Sequence, residues 1–395
     1  MSWINQIVAV TILNLRTIPQ RLGSSAVAVV GIAGVVIVFV AVLSMAQGFF
    51  SALHDAGSPE RALVMRGGTD SEMTSVLTGP EADIIKQAPG IRKEGQRALA
   101  SAELYVVLDL PKRGTSTPAN VPLRGVEPDT EKVRNEVRLI AGRMMQFGTN
   151  EIIVGRAATV QFEGLSLGSQ LKAGQVTWTV VGVFENGGTV GETELWCDAR
   201  VLQGVYRRDN SYQSVLARLE SPDAFGRFKD WLTSNPQLNV SVRPEVEYYT
   251  AQATGLTTVI RTLGFGIAAL MGIGAVFGAI LTMYTAVATR SREIATLRAL
   301  GFNTASVLIS VLSESLGLAL AGGALGGLAA YVAFNGYQTS TINFQTFSQV
   351  AFAFAVTPSL LIQGLTYAVT MGFVGGLLPA VKAARLPISS ALREL

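Results

Sequence analysis

Cysteine, histidine and charge are all scarce in this chain of 395 residues. Its single cysteine, Cys197, excludes an intramolecular disulfide and a cysteine zinc cluster, and it leaves one thiol as a topology probe if that thiol is accessible. Its single histidine, His54, excludes H-E-x-x-H zinc chemistry. Gly164-Leu-Ser-Leu-Gly168 has nucleophile-elbow spacing, but His54 is the one histidine that could take the Ser166 proton. A glycine-punctuated turn is the simpler reading. No lysine follows a glycine, so the chain has no G-x-x-x-x-G-K-[ST] phosphate loop, and nucleotide-driven work would have to come from a partner.

The shortage of charge is local. Charged residues make up 15% of the chain, against about 25% in ordinary soluble proteins. Leu22–Leu53, Thr262–Thr289 and Ser315–Val381 contain no Asp, Glu, Lys or Arg at all. About 20 apolar residues cross roughly 30 Å of hydrocarbon. Each stretch is long enough, and the third divides at a polar middle. The pattern predicts an α-helical membrane protein with spans at 22–48, 256–288, 304–335 and 358–381. It also predicts a soluble domain with stalk helices at 49–255 and a polar loop at 336–357. A wholly soluble or disordered chain is excluded.

Residues 1–20 read as an amphipathic helix on the cytoplasmic membrane surface. Ile4, Ile7, Val8, Ile12 and Leu15 share a face, Trp3 and Arg16 suit the headgroup layer, and Pro19 ends the helix. A cleavable signal peptide is the competing reading, because Arg16 and Arg21 precede an apolar run ending Ser44-Met45-Ala46. That run is too long, and too far from the start, for a signal core.

The net charge of +3 hides two opposite portions. Residues 49–260 hold 22 basic and 25 acidic side chains, whereas the remainder holds 9 basic and 3 acidic. The mildly acidic soluble portion excludes nucleic acid as a partner. Short basic segments set topology. Arg16, Arg21, Arg290, Arg292, Arg298, Lys382, Arg385 and Arg393 place both termini and the 289–303 segment in the cytoplasm. The soluble domain and the 336–357 loop, which has no basic residue, then lie outside.

Within the soluble portion, Val176–Phe184, Ala102–Leu108 and Glu151–Val154 alternate like strands. Pro80–Gln87 and Pro222–Leu232 read as helices, the latter with Ala224, Phe225, Phe228 and Leu232 on one face. The mixture predicts an α+β domain. Val246, Tyr249, Ala253, Leu256, Ile260 and Leu263 continue at helical spacing as a stalk into the second span.

Gly274, Gly278, Gly322, Gly323, Gly326 and Gly327 form small-xxx-small patterns, which let helices approach closely within one chain or across a dimer seam. Glu314 is the one acid inside a predicted span, and a structural role near the cytoplasmic leaflet outweighs proton coupling. The cytoplasmic segment 289–303 reads as a short helix with an apolar edge of Ile294, Leu297 and Leu300. Gly301 is placed to stop it, and Asn303 or Thr304 to cap the next span. It is either a charged connector or a docking helix for a partner.

Arg292-Glu-Ile-Ala-Thr-Leu-Arg-Ala-Leu-Gly301 resembles the R-E-I-x-x-x-R-A-x-G signature of the MacB-type, FtsX-like ABC transporter permeases. Gly376–Arg393 is similar to that family's P-A-x-x-A-x-x-x-P-x-x-A-L-R ending, and Leu312-Ser-Glu-Ser315 to its third span. Leu123–Pro128, Glu151–Gly155 and Val180–Phe184 resemble parts of its periplasmic core domain. The resemblance implies a stand-alone permease subunit in a bacterial inner membrane, not itself an enzyme and without a cofactor of its own. ATP and Mg would be bound by a separate ATPase, and movement would be passed outward without substrate crossing the spans. It also implies a second permease copy or a paralogue, lipids, and optionally a periplasmic adaptor and an outer-membrane channel. The implied ATPase-coupling residues are Arg290, Arg292, Glu293, Ile294, Leu297, Arg298 and Gly301. A membrane-anchored scaffold or sensor, activating an outer partner without transport, is the alternative.

Overall fold

The computed structural model describes residues 11–12 and 22–387, so the surface helix expected at 1–20 and the end of the 382–395 tail lie outside the described residues. The chain divides into two compact units. A helical unit takes residues 1–47, 258–337 and 354–395; a sheet unit takes residues 48–257 and 338–353.

Four of the described helices are long and apolar enough to cross a membrane. These are α1 (Leu22–His54), α2 (Glu245–Ala288), α4 (Thr304–Phe334) and α5 (Pro358–Arg385), with the short α3 (Ser291–Ala299) between α2 and α4. Thr357 caps α5, its hydroxyl accepting from the Leu360 amide, and Pro358 occupies the first turn, where a missing N–H does no harm.

Small residues let α1, α4 and α5 pack within the helical unit. A Cβ on Gly322 would lie 2.8 Å from the Val29 carbonyl oxygen, and one on Gly326 would lie 2.6 Å from that of Ala33. Gly323 meets Ala368, and Gly327 meets Leu361. On α5, Gly372 and Gly376 press on Ala319 and Ser315, and the Ser315 hydroxyl donates to the Gly372 carbonyl at 2.7 Å. Gly274 and Gly278 differ: a Cβ at either meets nothing within 4 Å.

The sheet unit is built on ten strands in chain order: β1 (Arg61–Arg66), β2 (Ala100–Pro111), β3 (Pro118–Val126), β4 (Arg138–Gly142) and β5 (Glu151–Gly155), then β6 (Gln170–Ala173), β7 (Val176–Glu185), β8 (Leu195–Asp198), β9 (Ser214–Arg218) and β10 (Val240–Pro244). Their order across the sheet is β10-β1-β9-β2-β3-β8-β5-β7-β4, with β6 paired to β7. Pairing is mostly antiparallel; β3 with β8 and β5 with β7 are parallel. Strand β7 shows the cause of its own placement, since Trp178 and Val180 are buried in one core with Thr177 and Thr179 less so, and a bulge before Phe184 turns that ring into a neighbouring cluster. Several separate apolar cores result, two of them large. One gathers around Phe228, Leu232 and Ile85, the other around Trp178, Phe162 and Leu195.

The segment 336–357, expected as a loop, instead carries a hairpin of β11 (Gln338–Asn343) and β12 (Ser348–Ala353). It belongs to the sheet unit. Tyr105 meets Ser348 at 3.2 Å, the Lys112 ammonium donates to Gln349 at 3.1 Å, and Asn343 donates to Gln252 at 2.8 Å.

Candidate functional site

Helix α3 forms because Arg-Glu-Ile-Ala-Thr-Leu-Arg-Ala is a run of mostly good helix formers, with Glu293 in its first turn and Arg298 in its last, both favourable to the helix dipole. Gly301 ends it at φ +93°. The Gly301 amide donates to the Arg298 carbonyl and the Phe302 amide to that of Leu297, the paired bonds of a Schellman stop. Asn303 then caps α4, its side-chain oxygen accepting from the Ala305 amide at 3.3 Å.

Three contacts hold α3 inside the helical unit. Arg290, only 4% exposed, donates from Nη1 to Oε2 of the equally buried Glu314 at 2.7 Å, and its Nε lies 3.7 Å from Glu293. Ile294 enters a cluster with Met283, Val287, Val307 and Val311. Arg298 donates to the Leu386 carbonyl at 2.5 Å, just past the end of α5. The opposite face is exposed: Arg292, Thr296 and Gly301 lie at the surface, Leu300 is 73% exposed, and Glu293 is exposed although its carboxylate reaches back to Arg290.

The seven expected coupling residues therefore separate. Arg292, Glu293 and Gly301 lie at the surface, Leu297 and Arg298 are partly covered, and Arg290 and Ile294 are inside. Arg290 and Ile294 hold the helix in place; they are not surface contacts. Of the expected apolar edge, Ile294 is buried, Leu297 is partly covered and Leu300 lies at the surface. The Arg290–Glu314 pair was detectable as the first arginine of the loop and the sole acid of the following span.

The sheet unit holds a second polar constellation. Arg124 donates to Glu72 and Glu103 at 2.8 Å each and to both oxygens of Glu194, all four side chains being buried. Arg134 forms a fork with Glu103, the Trp196 indole donates to Glu194 at 2.8 Å, and the Ser214 hydroxyl donates to Glu72 at 2.6 Å. Burial opposes ionisation of Glu103, but Arg134 and Arg124 outweigh it and hold the carboxyl below the usual range. Every charge here is paired, which fits a structural clamp joining strands.

The other sequence candidates separate just as clearly. Ser166 is exposed on a turn flanked by positive-φ glycines, while His54 shares a 2.8 Å hydrogen bond with Thr250 and stacks on Phe50. No serine–histidine pair forms between them. Cys197 is fully buried, and burial together with the neighbouring Asp198 pushes its thiol well above the usual range. Among the described residues, no group of His, Cys, Asp and Glu could hold a metal.

Residues 25–235 match the family model of the MacB-like periplasmic core domain, more than half of the chain, and residues 265–388 match that of the FtsX-like permease C-terminal domain. The chain belongs to the MacB/FtsX-like permease family. It is 24% identical over 297 residues to a macrolide export ATP-binding/permease protein MacB of Bdellovibrio bacteriovorus, spanning 69% of this chain and 44% of that one. This MacB/FtsX-like permease thus spans less than half the length of that relative. Among solved structures it is similar to the periplasmic region of MacB from Actinobacillus actinomycetemcomitans, with TM-score 0.38 and 12% identity over 50% of this chain and 94% of that one. It is also similar to the extracellular domain of the transporter YknZ from Gram-positive bacteria, with TM-score 0.33 and 17% identity over 46% of this chain and 99% of that one. The family works with an ABC ATPase.

Proposed function

We propose that this chain is the permease subunit of an ABC machine in a bacterial inner membrane. It couples ATP hydrolysis in a separate ATPase subunit to movement of an extracytoplasmic sheet domain, for export or extraction of an envelope substrate. One observation carries the reading. Helix α3 offers an exposed face of Arg292, Glu293, Thr296 and Leu300, while Arg290, Ile294 and Arg298 fix its other side to α4, the apolar cluster and the end of α5. A cytoplasmic partner pressing on that face would transmit its displacement into the long helices, because a pinned helix moves as a body.

Orientation is supported by charge. Arg290, Arg292, Arg298, Lys382 and Arg385 lie toward one end of the bundle, and 336–357 carries no basic residue. The open face at Gly274 and Gly278 is consistent with a second permease copy.

The test is co-reconstitution with the cognate ATPase in bilayers. Replacing Arg292, Glu293 and Leu300 together by Ala should lower permease-stimulated ATP turnover about tenfold, the scale of losing a small hot spot, with membrane insertion unchanged. Unaltered turnover would reduce α3 to a connector. Stimulated turnover with no molecule leaving the bilayer would favour the scaffold reading.

A further inference from the structure

A cavity of about 430 Å³ lies in the helical unit at the end of the bundle opposite α3, between α1, α2 and α5. Gln47 comes from α1, Arg261 from α2, and Ser359 and Gln363 from α5, with Thr357 at the α5 cap. At about 1.5 Å per residue, Arg261 stands roughly 40 Å along α2 from Ala288, and Ser359 stands roughly 39 Å along α5 from Arg385. Both distances exceed the ~30 Å hydrocarbon layer. The charge-free stretch Thr262–Thr289 begins at the very next residue after Arg261. These placements put the cavity at headgroup depth on the far side of the bilayer from α3.

The lining has an unusual polarity for a helix boundary. Arg261 makes one hydrogen bond, to Oε1 of Gln47 at 3.3 Å, and among the described residues it has no carboxylate partner. Guanidinium carries five N–H donors, so most of its capacity is left over at the cavity rim. No Asp or Glu lines the site, and the first turn of α5 adds partial positive charge and hydroxyl donors from Thr357 and Ser359. Leu360 is buried beneath these groups, and Phe265, 50% exposed, stands beside them with its ring open to the surroundings. A lone snorkelling arginine would need none of this convergence from three helices.

We propose that this cavity binds the headgroup of an anionic phospholipid. Arg261 pairs with the phosphate, the α5 hydroxyls and Gln363 hydrogen-bond the headgroup, and the first acyl chain runs past Phe265. The absence of an acidic lining residue gives a choline or ethanolamine ammonium nothing to pair with, so a phosphatidylglycerol-type headgroup is favoured. The inference rests on the reading of the four long helices as membrane spans.

The experiment is native mass spectrometry of the full chain, delipidated in detergent and titrated with phosphatidylglycerol, phosphatidylcholine or inorganic phosphate. Phosphatidylglycerol should bind about tenfold more tightly than phosphatidylcholine, and Arg261→Gln should remove that preference. Millimolar inorganic phosphate should not displace the lipid; displacement would make this a free-anion site and overturn the proposal. Equal binding of both lipids, or an unchanged preference in R261Q, would also overturn it. If R261Q does not fold, the double variant Ser359→Ala/Gln363→Ala carries the same test, with a loss of about threefold expected and no loss overturning it. Carbonate extraction of the same chain from vesicles tests the membrane reading separately. An extractable chain sinks that reading, whereas an inserted chain without lipid preference sinks only this one.

Discussion

Arg290 and Glu314, 24 residues apart, form a 2.7 Å ion pair that is almost completely buried and ties the start of α3 to the body of α4. Removing one partner of such a pair leaves an uncompensated charge. Glu314→Ala should therefore destabilise the helical unit by about 3–5 kcal/mol, while the double change Arg290→Met/Glu314→Leu should recover much of the loss. Thermal unfolding in one fixed detergent compares the wild type with these two variants, and a double variant no more stable than Glu314→Ala would show that the pair is not coupled.

The six glycines of the small-xxx-small patterns should divide by sign. Gly326→Ala places a Cβ 2.6 Å from a backbone oxygen that has no rotamer to escape into, and it should destabilise by about 1–3 kcal/mol. Gly278→Ala meets open space and should gain up to about 1 kcal/mol from helix propensity in the single chain. Melting of the dispersed chain gives both signs; a second copy seated on Gly278 would reverse the latter when the chains associate.

Glu103 links sheet stability to pH. Its folded-state carboxyl is held below the ordinary value by Arg134 and Arg124 against the opposing effect of burial. The sign follows from linkage. The contribution is complete above the unfolded carboxylate value of about 4.3 and is lost as pH falls through the lower folded value. Unfolding of the wild-type chain, followed by the fluorescence of Trp196 and its fellow tryptophans, should steepen below about pH 4. Glu103→Gln should be less stable at neutral pH and show a shallower acid limb.

Cys197 cannot serve as a surface topology probe, because its side chain is fully buried and its thiol is held protonated. Maleimide should fail to label it from either face of the membrane and should react only as denaturant opens the sheet unit. Rapid labelling of the folded chain would contradict the position of β8. A cysteine introduced at exposed Ser166 supplies the probe that Cys197 does not.

Elements set by local composition were readable from the residues alone. The charge-free stretches become long apolar helices, and Val176–Phe184 becomes a strand because its buried residues recur at every second position. Gly301 and Asn303 announce a stop and a start through backbone chemistry that acts within a few residues. Other features depend on partners distant in sequence. The hairpin strand Gln338–Asn343 has hardly any apolar alternation, and its hairpin is held by Tyr105 and Lys112, which reach Ser348 and Gln349, and by Gln252, which accepts from Asn343. Glu72, Glu103 and Glu194 read singly as ordinary surface acids, and only their convergence on Arg124 shows that they are interior. The α3 candidates were found as a group, but which of them point inward depended on Glu314 and Leu386.

The late position of that hairpin sets an order on biosynthesis. Most of the sheet unit is complete by residue 257, yet it holds residues 338–353 as well. A ribosome emits about 5–20 residues each second, so the nascent unit waits several seconds with Ser348, Gln349 and Asn343 still to come. During that interval Tyr105, Lys112 and Gln252 lack their hairpin partners, and α4 must be laid down before they gain them. Truncation before residue 338 would make that interval permanent, leaving a chain that retains all ten principal strands and is open to proteolysis where the hairpin should close it.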